Sequence, residues 1–376
     1  MENVITNLLL IGVGRAFQSK NYQWLPSEFF VDEKGGVTIE SYINNLHPDD
    51  HKELYGTIGR VFERFVPLFE QVLVDAVHPR GDRVDVDSNW YSNQPEPEYD
   101  KNDEEFDDKY EKYMESRVPE LPVVPEFYKP PRISAAKLKE LSLKGRRLQV
   151  IVKLANIILT PEKPEYKGGS WHVEGMQNER IVASGIYYYE SDNITESRLQ
   201  FRQATEEPDY EQNDNRGVEA VFGLEDGAAL NQPLGSVITQ SDRCIAFPNL
   251  YQHQVAPFRL ADPSRSGVRR ILVFFLVDPF NPIVSTAHVA PQQLSWYRRE
   301  FLKEPSLDSV AADLMKLTVE FLDYPLTMEA AKAHRAELMK ERKYLIKLNT
   351  EAVSVSYTHL RAHETDSYLV CRLLLE

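Results

Sequence analysis

The residues best suited to chemistry are a histidine and a glutamate two positions apart, His172 and Glu174, which follow Gly168 and Gly169. In an extended strand, residues i and i+2 face the same side, so both side chains can bind one metal ion. His253, just before the last long β-rich run, is the candidate third ligand. Two imidazoles and one carboxylate on one face leave coordination positions open, as non-haem Fe(II) oxygenases require.

An arginine pair further along the chain, Arg269 and Arg270, supplies the cation that this chemistry needs. A dicarboxylate cosubstrate that chelates iron through its keto acid end requires a fixed positive charge for its other carboxylate, and arginine binds a carboxylate through two hydrogen bonds. Arg269 shares a strand face with Ile271 and Val273, whereas Arg270 faces the opposite way. The alternation favours Arg269, and Arg270 stays open as the alternative because strand phase can slip at a turn.

Two other classes of function compete with an oxygenase. A catalytically silent jelly-roll protein, which binds a ligand or serves as a scaffold, would keep the same ligands, but the intact triad with its arginine disfavours it. A zinc hydrolase is disfavoured because the sequence contains no His-Glu-x-x-His motif, and His172 and Glu174 have the wrong spacing for a helical pair of zinc ligands.

The elements that must position these residues are short β-rich runs, punctuated by turn residues and separated by no long helix. They are residues 148–154, 181–189, 199–202, 218–222, 236–239, 244–247 and 271–277. This pattern predicts a sandwich or barrel rather than an alternating α/β sheet. The expected fold class is mainly β with flanking helices, around a double-stranded β-helix (jelly roll, cupin-like) core.

Helical periodicity flanks the β-rich part. Residues 51–77 carry an apolar stripe, within which Pro67 is expected to kink or interrupt the helix. Residues 309–321 and 328–345 also have helical spacing, and Thr327 is placed to cap the second of these helices.

Composition limits the partners. The chain has 376 residues, 42% of them hydrophobic, and a formal net charge of −15. The negative charge disfavours nucleic acid and anionic membranes as partners, because both attract clustered Lys and Arg, so we expect a small-molecule or protein substrate. Without a secretory signal or a membrane-spanning run, an intracellular, cytoplasmic protein is expected. Cys244 lies in an apolar run and is predicted to be a buried core thiol.

These features predict four segments. Residues 1–146 are expected to form an N-terminal region, truncated or mis-spliced at its start, of helices and a solvated acidic loop at 96–115. Residues 147–290 would form the β core and residues 291–354 the C-terminal helices. Residues 355–376 look like the translation of a sequencing adapter and are expected not to be native sequence.

The order of the motifs resembles the prolyl-hydroxylase type of 2-oxoglutarate-dependent oxygenase: His172-Val-Glu174, then Tyr188, His253 and Arg269. The resemblance implies that the two histidines and Glu174 bind Fe(II) as catalytic residues. It implies that Arg269 and Tyr188 bind 2-oxoglutarate. Such enzymes usually have Asp as the carboxylate ligand; Glu174 departs from that pattern, and clavaminate-synthase-like members also use Glu.

A closer resemblance, carried by residues 148–157, 171–176 and 274–279, is to an uncharacterised fungal family of clavaminate-synthase-like proteins. It extends from about Trp24 to Tyr344. It implies an oxygenase that uses Fe(II), 2-oxoglutarate and O2 to oxidise a C–H bond of its substrate, with decarboxylation of 2-oxoglutarate to succinate. It implies no particular substrate and no choice among hydroxylation, desaturation and ring closure.

Overall fold

The computed structural model describes residues 18–78, 98, 105–119, 121, 123, 133–205, 208, 215–225, 229–301, 314, 317 and 325–353. The chain divides into two compact units. The first contains the described residues within Met1–Pro79, Ile133–Gln203 and Pro233–Thr350, and the second those within Arg80–Arg132, Ala204–Gln232 and Glu351–Glu376. All the candidate site residues lie in the first unit.

The described residues are mostly β, in antiparallel sheets. The strands are β1 (Ser27–Val31), β2 (Val37–Ile39), β3 (Arg146–Leu159), β4 (Glu165–Tyr166), β5 (Ile181–Asp192), β6 (Arg198–Ala204), β7 (Asn231–Ile238), β8 (Arg243–Pro248), β9 (Gln252–Val255), β10 (Phe258–Arg259) and β11 (Gly267–Val277). A six-stranded sheet has the order β2-β1-β3-β11-β5-β8, and its neighbouring strands are antiparallel. The other sheets are β7-β6-β9 and β10-β4.

Helices flank these sheets. They are α1 (Lys52–Val77), α2 (Phe106–Ser116), α3 (Ala135–Glu140), α4 (Asn215–Phe222), α5 (Leu294–Phe301) and α6 (Met328–Val353), with a short 3-10 helix at Gln177–Glu179. In the part of the chain that the structure describes, none of them combines the length and apolar character needed to cross a membrane.

Helix α1 covers one face of the six-stranded sheet. The ring centroids of its Phe62 and Phe65 lie 5.1 and 5.4 Å from the ring centroid of Phe274 on β11. All three side chains are fully buried, and burial of each contributes about 1.5–3 kcal/mol. Gly185 on β5 permits this close approach, because a Cβ there would lie 2.6 Å from Cδ1 of Phe65.

The opposite face of the sheet, called the inner face below, carries the candidate site. Side chains alternate along a strand, so Phe275 and Val273 point away from α1 and join a second core cluster with Tyr188 of β5. The same alternation places Arg269 on the inner face of β11. This alternation decides which residues can reach a common ligand.

The helices predicted at 51–77 and 328–345 are present in the structure as α1 and α6, but the expected interruption at Pro67 is not. Helix α1 continues through Pro67 without interruption; its buried apolar stripe on the sheet stabilises the helix despite the missing amide donor. Thr327 caps α6, since its Oγ1 accepts a hydrogen bond from the amide of Ala330 at 3.1 Å. Of the predicted helix at 309–321, only Leu314 and Leu317 lie among the described residues, and both are helical.

Three local predictions are wrong. Residues 218–222 form part of α4, not a strand, because their apolar residues at 218, 221 and 222 follow helical spacing that their β-branched content obscured. The acidic segment contains α2 from Phe106 to Ser116, and much of its remainder lies outside the described residues. Cys244 is exposed, since it alternates with the inward-facing residues of edge strand β8.

The other six β-rich runs each overlap a strand. Residues 355–376 lie outside the described residues.

In the second unit, one arginine joins two of its elements. The guanidinium of Arg216 on α4 donates hydrogen bonds to the carbonyl oxygens of Glu115 and Arg117, at the end of α2, at 2.6 and 3.0 Å. These bonds satisfy carbonyl groups that the helix itself leaves unpaired at its C-terminus.

Candidate metal centre

Backbone pairing brings the two candidate histidine ligands together. His172 forms an isolated antiparallel bridge with His253 of β9, in which each amide donates to the other's carbonyl oxygen, at 3.2 and 2.9 Å. Paired residues of antiparallel strands point to the same side. The two imidazole rings therefore face each other, with centroids 4.5 Å apart.

The carboxylate of Glu174 completes the cluster. Its Oε1 lies 3.6 Å from Nε2 of His172 and 3.4 Å from Nε2 of His253. Bonds of about 2.0–2.2 Å from a first-row metal to nitrogen and oxygen place adjacent ligand atoms roughly 3 Å apart. The three donors thus fit one ion after a small contraction, with one ligand atom from each residue.

The outer nitrogens of both histidines orient the rings. Nδ1 of His172 lies 2.8 Å from the carbonyl oxygen of Ser170, and Nδ1 of His253 makes a longer contact of 3.5 Å with that of Tyr251. A carbonyl oxygen can only accept, so these contacts favour a proton on Nδ1 and leave the Nε2 lone pair for a metal. The side chain of His172 is 29% exposed and that of His253 only 4%, so the site opens on the His172 side.

Without a metal, the three groups attract one another as acid and base. Burial opposes the charged forms, but the hydrogen bond and charge of Glu174 outweigh it and raise the pKa of His172. Burial also works to raise the pKa of Glu174, yet hydrogen bonds to both histidines hold that pKa well below its usual range. A divalent cation would take the place of these protons.

A side-chain clamp fixes the chain that carries Glu174. Oδ1 of Asn249 accepts from the amide of Glu174 at 2.8 Å, and its Nδ2 donates to the carbonyl oxygens of Glu174 and Ile181 at 2.9 and 3.0 Å. The strand then turns at Gly175, where φ is +71° and a Cβ would clash with Ile181. Asn249 was missed from the sequence, although it lies within the same short stretch as His253.

Arg269 and Tyr188 lie beside each other on the inner face. The guanidinium carbon of Arg269 is 4.8 Å from the Tyr188 ring centroid and 5.9 Å from that of Phe258. Arg269 is 2% exposed; burial lowers its pKa and raises the pKa of Tyr188 to about 12. Nε of Arg269 and the Tyr188 hydroxyl have no hydrogen-bond partner of normal geometry among the described residues, so both polar groups suit a buried anionic ligand.

Arg270 lies on the other face of β11. Its Nη1 pairs with Oε2 of Glu190 at 2.6 Å, and both side chains are partly exposed. Of the two arginines that the sequence left open, only Arg269 shares a face with Tyr188.

Comparison with known proteins identifies the family. Residues 2–300 match the family described as Protein of unknown function (DUF4246). The chain belongs to the DUF4246 family. A search of curated proteins found no match.

Solved structures show only distant likeness to this DUF4246 chain. The Fe(II)/α-ketoglutarate-dependent dioxygenase TqaL is 12% identical over 75% of this chain and 80% of its own, with a TM-score of 0.25. A BsmA homologue from Methylobium petroleophilum PM1 is 11% identical over 38% of this chain and 48% of its own, with a TM-score of 0.23. Hydroquinone 1,2-dioxygenase PnpCD is 14% identical over 38% of this chain and 64% of its own, with a TM-score of 0.17. The matched part spans about half of the BsmA homologue, and likeness at these TM-scores carries no functional argument.

In this DUF4246 chain, a residue beyond the family match also supports the turn that follows Glu174. Nη2 of Arg342, on α6, donates to both carboxylate oxygens of Glu179 at 2.6 Å. Glu179 is 1% exposed and also accepts from the amides of Trp24 and Met176, at 2.7 and 2.9 Å. The charge of Glu174 also acts on Arg342. Nothing in the sequence pattern signals this pair, because only the fold joins positions 163 apart.

Two further residues near the DUF4246 site were missed. Tyr166 lies close enough to Arg269 to affect its pKa, and it packs on Phe258, with ring centroids 5.1 Å apart. Lys153 on β3 faces the inner side beside Val273. Strand alternation was the available signal for Lys153, since it has the same parity as Ile151 within β3; no such local signal was available for Tyr166.

Proposed function

We propose that this protein is an Fe(II)- and 2-oxoglutarate-dependent oxygenase that oxidises a C–H bond of a small-molecule or protein substrate. One observation carries the proposal: His172, Glu174 and His253 converge, and Arg269 lies buried on the inner face of the adjoining sheet with a polar atom free for a ligand. The cluster of His172, Glu174 and His253 suits a metal ion, and Arg269 suits the far carboxylate of a dicarboxylate.

The donor set supports iron among the common metals. Two imidazoles and one carboxylate on one side of an ion leave the remaining positions open to cosubstrate and oxygen. A structural zinc site would instead surround its ion with four protein ligands. Glu174 in place of Asp agrees with the clavaminate-synthase-like branch of these oxygenases, which we propose as the subfamily.

The roles of the surrounding residues follow from their positions. Arg269 would hold the far carboxylate of 2-oxoglutarate through two hydrogen bonds, with the Tyr188 hydroxyl as a third donor. The ring of Phe247 lies 4.9 Å from that of His253 and helps to exclude water. Bound iron and 2-oxoglutarate would supply the oxidising chemistry, which uses O2 and releases succinate and carbon dioxide.

We propose a double-stranded β-helix as the fold that positions these groups. β3 counts as the first of eight strands and β4 together with His172 as the second. β5 to β8 are then the third to the sixth, β9 together with β10 is the seventh, and β11 is the eighth. One sheet then holds strands one, three, six and eight, and the other holds strands two, four, five and seven. This division supports a jelly roll, in which the chain passes repeatedly between two sheets.

Anaerobic titration with Fe(II) and 2-oxoglutarate tests the proposal directly. We expect the visible metal-to-ligand charge-transfer band of a chelated keto acid in the wild-type protein and no band in His172→Ala. Arg269→Met should weaken 2-oxoglutarate binding about 10-fold or more, because a hydrogen-bonded charge is lost. Arg270→Met is the matched control on the same strand and should bind as the wild type does.

The alternative is a silent jelly-roll binding protein. Folded, metal-loaded wild-type protein that develops no band would favour it and reject the oxygenase. Equal loss of affinity in Arg269→Met and Arg270→Met would reject the assignment of the anchor while leaving the metal site in place.

A further inference from the structure

A second cation on the inner face has no part in the proposed binding of iron and 2-oxoglutarate. Lys153 of β3 is paired with Val273 of β11, and Val273 is buried in the inner-face cluster. Paired residues of antiparallel strands face the same side. Lys153 therefore projects to the side that carries Arg269 and Tyr188.

Lys153 lies near a metal ligand. Besides burial and Glu174, the charge of Lys153 also acts on the His172 imidazole, which places the two within electrostatic range. The lysine side chain is exposed. Among the described residues it has no ion-pair or hydrogen-bond partner, so its charge is available to a ligand.

The position of Lys153 separates it from the proposed carboxylate anchor. Arg269 is paired with Ile157 on β3, four positions from Lys153. At about 3.3 Å per residue these positions are roughly 13 Å apart along the strand. The far carboxylate of a five-carbon diacid held by Arg269 does not reach Lys153, so the lysine serves a different group.

The candidate centre is open on the side of His172, the histidine that Lys153 lies near. The His172 side chain is 29% exposed, whereas His253 is 4% exposed and Arg269 is 2% exposed. A substrate must approach from the His172 side, and the exposed Lys153 lies within electrostatic range of that histidine. In a chain with a net charge of −15, a lysine without an ion-pair partner among the described residues would attract anions that the overall field repels.

We propose that Lys153 binds an anionic group of the primary substrate, a carboxylate or a phosphate, at the entrance to the metal centre. This inference rests on the proposed function. The ammonium group of lysine is a mobile point charge that accepts either anion without demanding a planar partner. The substrate class is therefore an organic anion whose oxidised carbon lies between the charged group and the metal.

The test uses the full chain loaded with Mn(II), a paramagnetic ion, and saturated with 2-oxoglutarate. Proton relaxation is measured for phenylacetate, phenyl phosphate and phenylacetamide. None of these probes has a keto acid, and the amide matches the carboxylate in shape without its charge. We expect the paramagnetic relaxation of at least one anion to exceed that of the amide by about fivefold, the upper range for an exposed ion pair.

Variants assign this preference to the residue. Lys153→Met should remove the excess relaxation, Lys153→Arg should retain it, and Lys163→Met, a change at another exposed lysine, should leave it unchanged. Circular dichroism checks that each variant is folded. The anion with the greater paramagnetic relaxation shows whether the bound group belongs to the carboxylate or the phosphate class.

Two results would overturn the inference: equal relaxation of the anions and the amide in the wild-type protein, or an anion preference that persists in Lys153→Met. The methylene protons of 2-oxoglutarate in the same samples report on the proposed function separately. If these methylene protons show no paramagnetic broadening, the oxygenase proposal fails together with this one. If they are broadened while the probes do not differ, only the role of Lys153 is rejected.

Discussion

At the scale of single residues, Asn249 is the strongest candidate for a positioning role. It bonds to both backbone polar groups of Glu174 and reaches Ile181 with the same amide. A side chain that satisfies three partly buried backbone groups fixes the chain more firmly than any one contact, because a polar group that is buried and left unpaired costs about 1–3 kcal/mol.

Asn249→Asp tests this role. The substitution keeps the acceptor for the Glu174 amide but sets a carboxylate oxygen against two carbonyl oxygens. We expect Mn(II) affinity, measured by calorimetry, to fall about 10- to 100-fold, while Asn156→Asp, at an exposed position of β3, leaves it unchanged. Unaltered affinity in folded Asn249→Asp would show that the clamp does not position the metal ligand.

The titration of His172 and Glu174, two candidate metal ligands, predicts a pH dependence for the metal-free protein. The raised pKa of His172 contributes stability below its unfolded value, which is lost as pH rises through the folded pKa. The lowered pKa of Glu174 contributes stability above its unfolded value, which is lost as pH falls through the folded pKa. The attraction is therefore greatest between the unfolded values of the two groups, at about pH 4.3–6.5.

Denaturant unfolding in the presence of a chelator measures this effect. The difference in unfolding free energy between the wild-type protein and Glu174→Gln should be largest near pH 5–6 and decline toward pH 8, because His172 loses its proton. Glu165→Gln, at an exposed position of β4, should show no such trend. A difference for Glu174→Gln that stays constant across this range would contradict the coupling.

At the scale of elements, α6 is connected to the turn that follows Glu174. Arg342 pairs with buried Glu179, and its guanidinium carbon lies 3.5 Å from the Trp24 ring centroid. Trp24 in turn stacks on Phe275 of β11, with centroids 5.9 Å apart. Helix α6 and the segment before β1 thus support the turn that follows Glu174 from outside the β core.

Arg342→Met should destabilise the protein by about 3–5 kcal/mol, because it leaves the Glu179 carboxylate buried without its partner. The double variant Arg342→Met with Glu179→Gln should recover much of the lost stability, because the buried carboxylate charge is removed as well. Thermal or denaturant unfolding measures both variants. Lys340→Met, which breaks only an exposed pair with Glu337 on the same helix, should change the stability by about 1 kcal/mol or less. Similar small effects at both positions would show that Arg342 is dispensable.

At the scale of the whole molecule, the proposed metal site would couple metal binding to folding. The three ligands come from two segments, at residues 172–174 and at β9, which only the folded chain brings together. A ligand that binds the native state alone stabilises it by mass action. Mn(II) at about 100 times its Kd should therefore raise the unfolding free energy by about 2.7 kcal/mol.

Unfolding with and without Mn(II) measures this stabilisation. His172→Ala with His253→Ala is the control that should show none. Equal stabilisation of the control and the wild-type protein would place the metal elsewhere on the chain.

The residues of the candidate site could be proposed from the sequence because they obey local rules. A two-residue repeat along an extended segment places His172 and Glu174 on one side, and the same rule separates Arg269 from Arg270. The register shift on the β5 side of β11, between Arg270 and Ile271, is the kind of slip that left both arginines open, yet the alternation within β11 persists. The strand predicted at 218–222 failed because residue type was weighed above spacing.

By itself, the sequence determined a mainly β chain, six of its strand positions and the donor set that meets in the candidate centre, since these depend on local periodicity. Tertiary structure alone decided that Arg342 pairs with Glu179, that Asn249 holds Glu174 and that Lys153 comes within electrostatic range of His172. The physical reason is that each of these contacts joins distant segments. Their partners are chosen by strand order and helix packing, which no short stretch of the chain encodes.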